Sequence, residues 1–167
     1  GSVRGPESPC DLGRPGAALY GRAPNADAPN PLQPTVRLQA RIVQRRTIKA
    51  GDGVGYGLTW HASGPRRIAT LGIGYADGFL RQGASNGGCA WLDSYRLPIL
   101  GRISMDSTTV DVTGVPESVL DQATHVDMIG PRRSVDDVAH AAGTIGYEVL
   151  TALGSRFHRV YLPAQAA

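Results

Sequence analysis

From Thr35 onward apolar and polar residues alternate with a period of two. Val36, Leu38, Ala40 and Ile42 interleave with Arg37, Gln39 and Arg41, the mark of a half-buried β-strand. The same reading predicts strands at Ile68 to Gly74, Cys89 to Leu92, Arg96 to Arg102, Thr108 to Val112 and His125 to Ile129, with Asp93-Ser94 as the hairpin turn between Leu92 and Arg96. Many short strands divided by turns predict a mainly β fold, an antiparallel β-barrel or sandwich-like domain. Two short helices follow. Ser134 and Asp137 form a capping-box pattern, Val135, Val138, Ala139 and Ala142 share one face, and Gly143 stops the run. Thr144 then caps a second helix over Ile145 to Leu153, with Val149, Leu150 and Leu153 inward and Gly154 as its terminal glycine.

The first 34 residues break the pattern. Seven of the chain's 12 prolines lie at positions 6, 9, 15, 24, 29, 31 and 34, which excludes long regular elements. This stretch reads as a linker, with one short buried strand and turn over Arg14-Pro15-Gly16-Ala17-Ala18-Leu19-Tyr20-Gly21 whose partner strands are not nearby in the sequence. The domain proper runs from 35 to 167. A length of 167 residues fits one domain plus a fragment of another. No apolar run approaches the roughly 18 residues of a membrane span. Cys10 and Cys89 sit in no metal or disulfide pattern, so the expected compartment is reducing, the cytoplasm. The chain opens Gly-Ser and lacks a signal-peptide pattern, so it reads as a piece of a longer chain.

Net charge is +3 from 17 Lys+Arg and 14 Asp+Glu, too mild for a nucleic-acid-binding domain. Arg37, Arg41, Arg45 and Arg46 cluster, but no aromatics accompany them to stack on bases. Lys49 is the only lysine, hence the only candidate for covalent lysine chemistry. Eleven of the 22 glycines fall between 51 and 88 and frame two tyrosines, in Gly55-Tyr56-Gly57 and Gly74-Tyr75-Ala76-Asp77-Gly78. Glycine opens backbone angles closed to other residues and lets a ligand come close, so these phenols are candidates for display. The alternative is an ordinary amphipathic tyrosine with its hydroxyl in water. Arg102-Ile103-Ser104-Met105-Asp106-Ser107 forms a second polar knot, in which Asp106 can also simply bond its own turn. The four histidines have neither triad nor metal-ligand spacing, and no metal site is expected.

In order along the chain, Arg14 to Gly21, Ala50-Gly51-Asp52-Gly53-Val54-Gly55-Tyr56-Gly57-Leu58-Thr59-Trp60, Gly72 to Gly78, Gly101 to Asp106, and Thr144-Ile145-Gly146-Tyr147-Glu148-Val149 resemble alanine racemase. The resemblance extends from about Arg14 to Leu162. It implies that residues 1–34 are a remnant of the end of the family's pyridoxal-phosphate-binding (β/α)8 barrel plus a linker, and that 35–167 are its C-terminal β-domain. The lysine that holds the cofactor covalently belongs to the missing part of the barrel, and Lys49 does not match it.

The family interconverts L- and D-alanine, supplying D-alanine for peptidoglycan, with a lysine on one face of the α-carbon and a tyrosine on the other. By position that tyrosine resembles Tyr56. Inverting a stereocentre needs a proton removed on one side and returned on the other, while the cofactor takes up the carbanion's electrons. Arg14 resembles the arginine facing the pyridine nitrogen, Gly16 and Ala17 the backbone donors to the cofactor phosphate, and Tyr147 the phenol completing that phosphate site. Tyr75 resembles the tyrosine of the substrate's access channel; Met105 and Asp106 match the segment that meets the substrate carboxylate. Gly146 stands where asparagine is common, and Ser104 and Ser107 where cysteine and glutamine are. The resemblance further implies a homodimer in which one subunit's tyrosine reaches the other's cofactor, and catalytic silence for these residues in isolation. The rival readings are a β-barrel interaction module without catalysis and a racemase for another amino acid.

Overall fold

The computed structural model describes residues 16–21 and 30–163. Its framework is a six-stranded antiparallel sheet built from β1 (Leu38–Ile48), β4 (Arg66–Leu71), β5 (Cys89–Leu92), β6 (Tyr95–Pro98), β7 (Thr108–Asp111) and β8 (His125–Ile129), in the order β6-β5-β8-β1-β4-β7. Ile99, just beyond β6, bridges Val110 in β7 and nearly closes the sheet into a barrel. Closure leaves few unpaired strand edges and gives the inward side chains one shared interior. Leu71, Ile73, Phe79, Ala90, Leu97, Ile103, Val110 and Met128 fill it. A hairpin of β2 (Gly53–Val54) and β3 (Trp60–His61) sits over a second, smaller cluster of Ile48, Val54, Ala62, Ile68 and Leu100.

The alternation at 38–41 places Leu38 and Ala40 inside and Gln39 and Arg41 outside, as expected. The strand then continues to Ile48 through a bulge between Ile42 and Gln44, where alternation ceases and Val43 to Thr47 are all exposed. The extra residue of a bulge breaks the period of two, which hides the second half of β1 from a pattern search. β5, β8 and the turn at Asp93-Ser94 fall as expected, with Leu92 paired to Tyr95. β4 and β6 stop before the predicted ends, at Leu71 and Pro98.

The short strand expected at 14–21 is not one. Gly16–Tyr20 form a turn of 3-10 helix, with Gly21 N–H donating to the Ala18 carbonyl, and Leu19 and Tyr20 lie exposed. An apolar hexapeptide without a neighbouring strand satisfies its amides locally instead. Arg14 lies outside the described residues.

Among the helices, α1 (Glu117–Gln122) follows Pro116, and α2 (Val135–Ala142) has the predicted capping box and ends at Gly143 with φ 70°. α3 covers Gly146–Ala152, with Ile145 rather than Thr144 at its N-cap. The Thr144 hydroxyl instead donates to the Glu148 carboxylate. Before α2, Arg133 is buried with a guanidinium N–H donating to the Cys89 carbonyl, which ties this segment to β5, and burial lowers its pKa.

Candidate active site

Tyr56 stands at the tip of the β2–β3 hairpin, and its position is fixed by a backbone contact with residues 101 and 102. Tyr56 N–H donates to the Arg102 carbonyl at 3.1 Å. A Cβ on Gly55 would lie 2.6 Å from the Arg102 nitrogen, and one on Gly101 2.4 Å from the Val54 carbonyl oxygen. Both glycines also have positive φ, 80° and 67°. Only glycine allows this approach, and its result is a ring left 59% exposed while neighbouring Val54 is buried. The Arg81 guanidinium lies 5.8 Å from the centre of that ring, within range of a cation–π attraction.

A second loop meets the same segment. Tyr75 N–H donates to the Ser104 carbonyl at 3.1 Å and Ala76 N–H to the Met105 carbonyl at 2.9 Å. Gly74 passes so close to Met105 that a Cβ would sit 2.2 Å from its carbonyl oxygen. The buried Thr108 hydroxyl donates to the Ile73 carbonyl at 2.8 Å and fixes the loop's base. The stretch 101–107 therefore brings together Tyr56, Tyr75, Met105 and Asp106, four of the expected site residues; the three apolar or phenolic side chains are all exposed.

Asp77 and Arg156 complete the arrangement, and neither is among the site residues that the sequence suggests. Asp77 is buried, its Oδ2 accepting Gly74 N–H at 2.8 Å and its carbonyl accepting Gly154 N–H at 3.1 Å. Arg156, in the tail beyond α3, reaches Asp77 Oδ1 with Nε at 3.3 Å and Asp106 Oδ1 with Nη2 at 2.8 Å. Asp106 thus pairs with a distant arginine. Arg81 and Arg156 carry no periodicity or motif, and Arg156 lies 50 residues from its partner in an irregular tail.

Tyr147 is on the first turn of α3, half exposed, beside the exposed Ile145. The far end of α3 touches the Tyr75 loop, where a Cβ on Gly78 would overlap the Ala152 carbonyl oxygen at 1.8 Å. The Gly16–Tyr20 turn is held elsewhere. Thr35 donates to the Leu19 carbonyl, and Tyr20 and Gly21 line a small cleft with Pro34, Ser134 and Val135. Gly16 itself is exposed, with φ 53°. Lys49 lies exposed in the turn before β2, its N–H donating to Asp52 Oδ2 at 2.8 Å. A wider polar groove lined by Arg37, Gln39, Asp93 and His125 contains none of the expected residues.

The chain is thus a nearly closed antiparallel barrel that displays two glycine-framed tyrosines. Residues 35–161 match the family described as "Alanine racemase, C-terminal domain", and the chain belongs to that family. It is 51% identical over 162 residues to the catabolic alanine racemase of Mesorhizobium japonicum, covering 97% of this chain and 42% of that protein. It is 47% identical to the alanine racemase of Brucella abortus, covering 91% of this chain and 41% of the relative. Among solved structures, alanine racemase from Bartonella henselae with covalently bound pyridoxal phosphate superposes with a TM-score of 0.79 at 40% identity, over 88% of this chain and 40% of the other. The chain therefore spans about two fifths of the length of the relatives it matches.

Proposed function

We propose that this chain is the C-terminal part of a pyridoxal-phosphate-dependent alanine racemase, contributing the tyrosine base and the substrate gate to a site completed by a barrel. On this reading residues 1–34 are the end of that barrel and a linker, and 35–167 the β-domain. The observation that carries it is the exposure of Tyr56 on a backbone contact that only glycines at 55 and 101 permit. A phenol packed for stability needs no such platform.

The residues present fit one side of a cofactor site. They offer phenols and backbone N–H groups, while the sole lysine sits in a tight turn, so covalent attachment falls to the barrel. When bound, the cofactor supplies an electron sink for a carbanion at the substrate α-carbon. Tyr56 takes a proton from one face of that carbon, or returns one, and the exposed ring leaves its hydroxyl free to do so. The Met105–Asp106 segment meets the substrate carboxylate and, with Tyr75, lines the access channel, while the Asp106 side chain itself pairs with Arg156. Tyr147 and the backbone of Gly16 and Ala17 would hold the cofactor's phosphate, and Arg14 would face its pyridine nitrogen. In a homodimer the exposed Tyr56, Tyr75 and Met105 meet the partner's barrel; solvent is then excluded from the α-carbon and electrostatic contacts strengthen. The setting is cytoplasmic and the product D-alanine for peptidoglycan. The name of the Mesorhizobium relative favours a second role, alanine breakdown by the same reversible reaction.

The test is reconstitution. The 167 residues alone are expected to show no racemisation, and the full-length protein to interconvert L- and D-alanine when given pyridoxal phosphate. A full-length protein that binds a partner but leaves every amino acid's chirality unchanged is the interaction module instead. Deleting the gene separates the roles, since a cell-wall enzyme's loss imposes a need for D-alanine and a catabolic enzyme's loss prevents growth on alanine.

A further inference from the structure

Arg156 joins the two loops that carry Tyr75 and Met105. Its Nη2 is 2.8 Å from Asp106 Oδ1, and its Nε is 3.3 Å from Asp77 Oδ1. Asp77 is already committed on its other oxygen to Gly74 N–H, so its position reports the shape of the Tyr75 loop. Asp106 belongs to the loop whose Ser104 and Met105 carbonyls accept from Tyr75 and Ala76. The hydrogen bond to Asp106, and then attraction by Asp77, favour the charged guanidinium. Without it, two carboxylates on adjoining loops face each other with no intervening charge. A planar guanidinium binding through two different nitrogens fixes the separation of those carboxylates, which a point charge on a flexible stem does not. The Tyr56 hairpin, by contrast, is anchored on the Arg102 carbonyl and the Gly55 and Gly101 contact, and does not use Arg156.

Resting on the racemase reading above, we propose that Arg156 is a positioning residue that sets the spacing between the Tyr75 loop and the Met105–Asp106 loop, and thereby substrate affinity, without acting in proton transfer at Tyr56. The side chain of Arg156 is half exposed, and exposed ion pairs add little to global stability, so its replacement leaves the fold intact.

The experiment compares the full-length protein with its Arg156→Met and Arg156→Lys variants, all loaded with pyridoxal phosphate. Arg156→Met is expected to raise KM for alanine about tenfold while kcat stays within about threefold, the pattern of lost binding rather than lost transition-state stabilisation. Arg156→Lys recovers part of the loss, because an ammonium reaches one carboxylate but not both. In the same proteins, amide hydrogen exchange at Gly74, Tyr75 and Ala76 speeds up in Arg156→Met while β4 and β8 exchange as before. Unchanged exchange at those three amides overturns the proposal, as does a fall in kcat as large as the rise in KM. Faster exchange throughout the barrel in both variants makes Arg156 a residue of general stability and equally overturns it. If the parent protein does not racemise amino acids, the racemase reading falls, and the exchange at 74–76 still decides whether Arg156 holds the loops.

Discussion

Gly55 and Gly51 both have positive φ, but only Gly55 has a neighbouring backbone where a Cβ would go. That difference separates a conformational requirement from a steric one. Gly51→Ala is expected to cost about 1 kcal/mol, from the left-handed backbone alone. Gly55→Ala adds the overlap with residues 101 and 102 and is expected to cost about 2 to 3 kcal/mol, roughly 4 to 12 °C in melting temperature for a chain of this size. Thermal unfolding of the two variants checks this, and equal losses would show that the 55–101 contact is looser than described. At this scale the exposure of Tyr56 and Tyr75 is legible because glycines on both sides are a local signal, while the roles proposed for them come from the family resemblance. Arg81 and Arg156 are not, since each acts through a contact made by the fold and leaves no mark in its own neighbourhood. By residue type Asp106 can bond its own turn, but it pairs with Arg156, and it is Asp77 that bonds its own turn through Gly74 N–H.

Between elements, the pairing of β4 with β7 carries an electrostatic device. Asp111 accepts from Arg66 at 2.6 Å and from Thr113 N–H at 2.8 Å. Burial alone raises its pKa, but the Thr113 and Arg66 hydrogen bonds and the Arg66 charge outweigh it, and the net direction is down. A lowered carboxylate pKa stabilises the fold above the unfolded value near 3.9, and the contribution is lost as pH falls through the lower folded value. Asp111→Asn is therefore expected to cost about 1 to 2 kcal/mol at neutral pH and to flatten the loss of stability below about pH 4. Denaturant titrations across that range measure both, and an unaltered acid slope would assign the acid sensitivity to other groups. Elements with a cap or a clean period, such as α2 and the β5–β6 hairpin, were visible in the sequence. The β2–β3 hairpin and α1 were not: two-residue strands and a six-residue helix are too short to establish a period. The 3-10 turn at Gly16–Tyr20 reads as a strand in the sequence because apolar composition alone does not distinguish the two.

For the molecule as a whole, the barrel was legible as a class from the number and spacing of its short strands, while its closure between β6 and β7 depends on a single bridge, Ile99 to Val110, that no local pattern encodes. The site divides in the same way. Tyr56, Tyr75, Met105 and Asp106 were each singled out, and the fold gathers them around the 101–107 segment. The far end of α3, the helix that carries Tyr147, packs on the Tyr75 loop, whereas the Gly16–Tyr20 turn is tied to Thr35 and its Tyr20 and Gly21 line a separate cleft. On the racemase reading proposed above, these exposed side chains form one part of the site and the rest is supplied by a surface that they meet. The most direct measurement of the central claim is α-proton exchange in deuterated water, followed separately for L- and D-alanine, with full-length protein and its Tyr56→Phe variant. The account predicts that the variant keeps its cofactor and exchanges one enantiomer normally while exchange of the other falls by about 10² to 10⁴. Equal exchange of both enantiomers at the parent rate would contradict it.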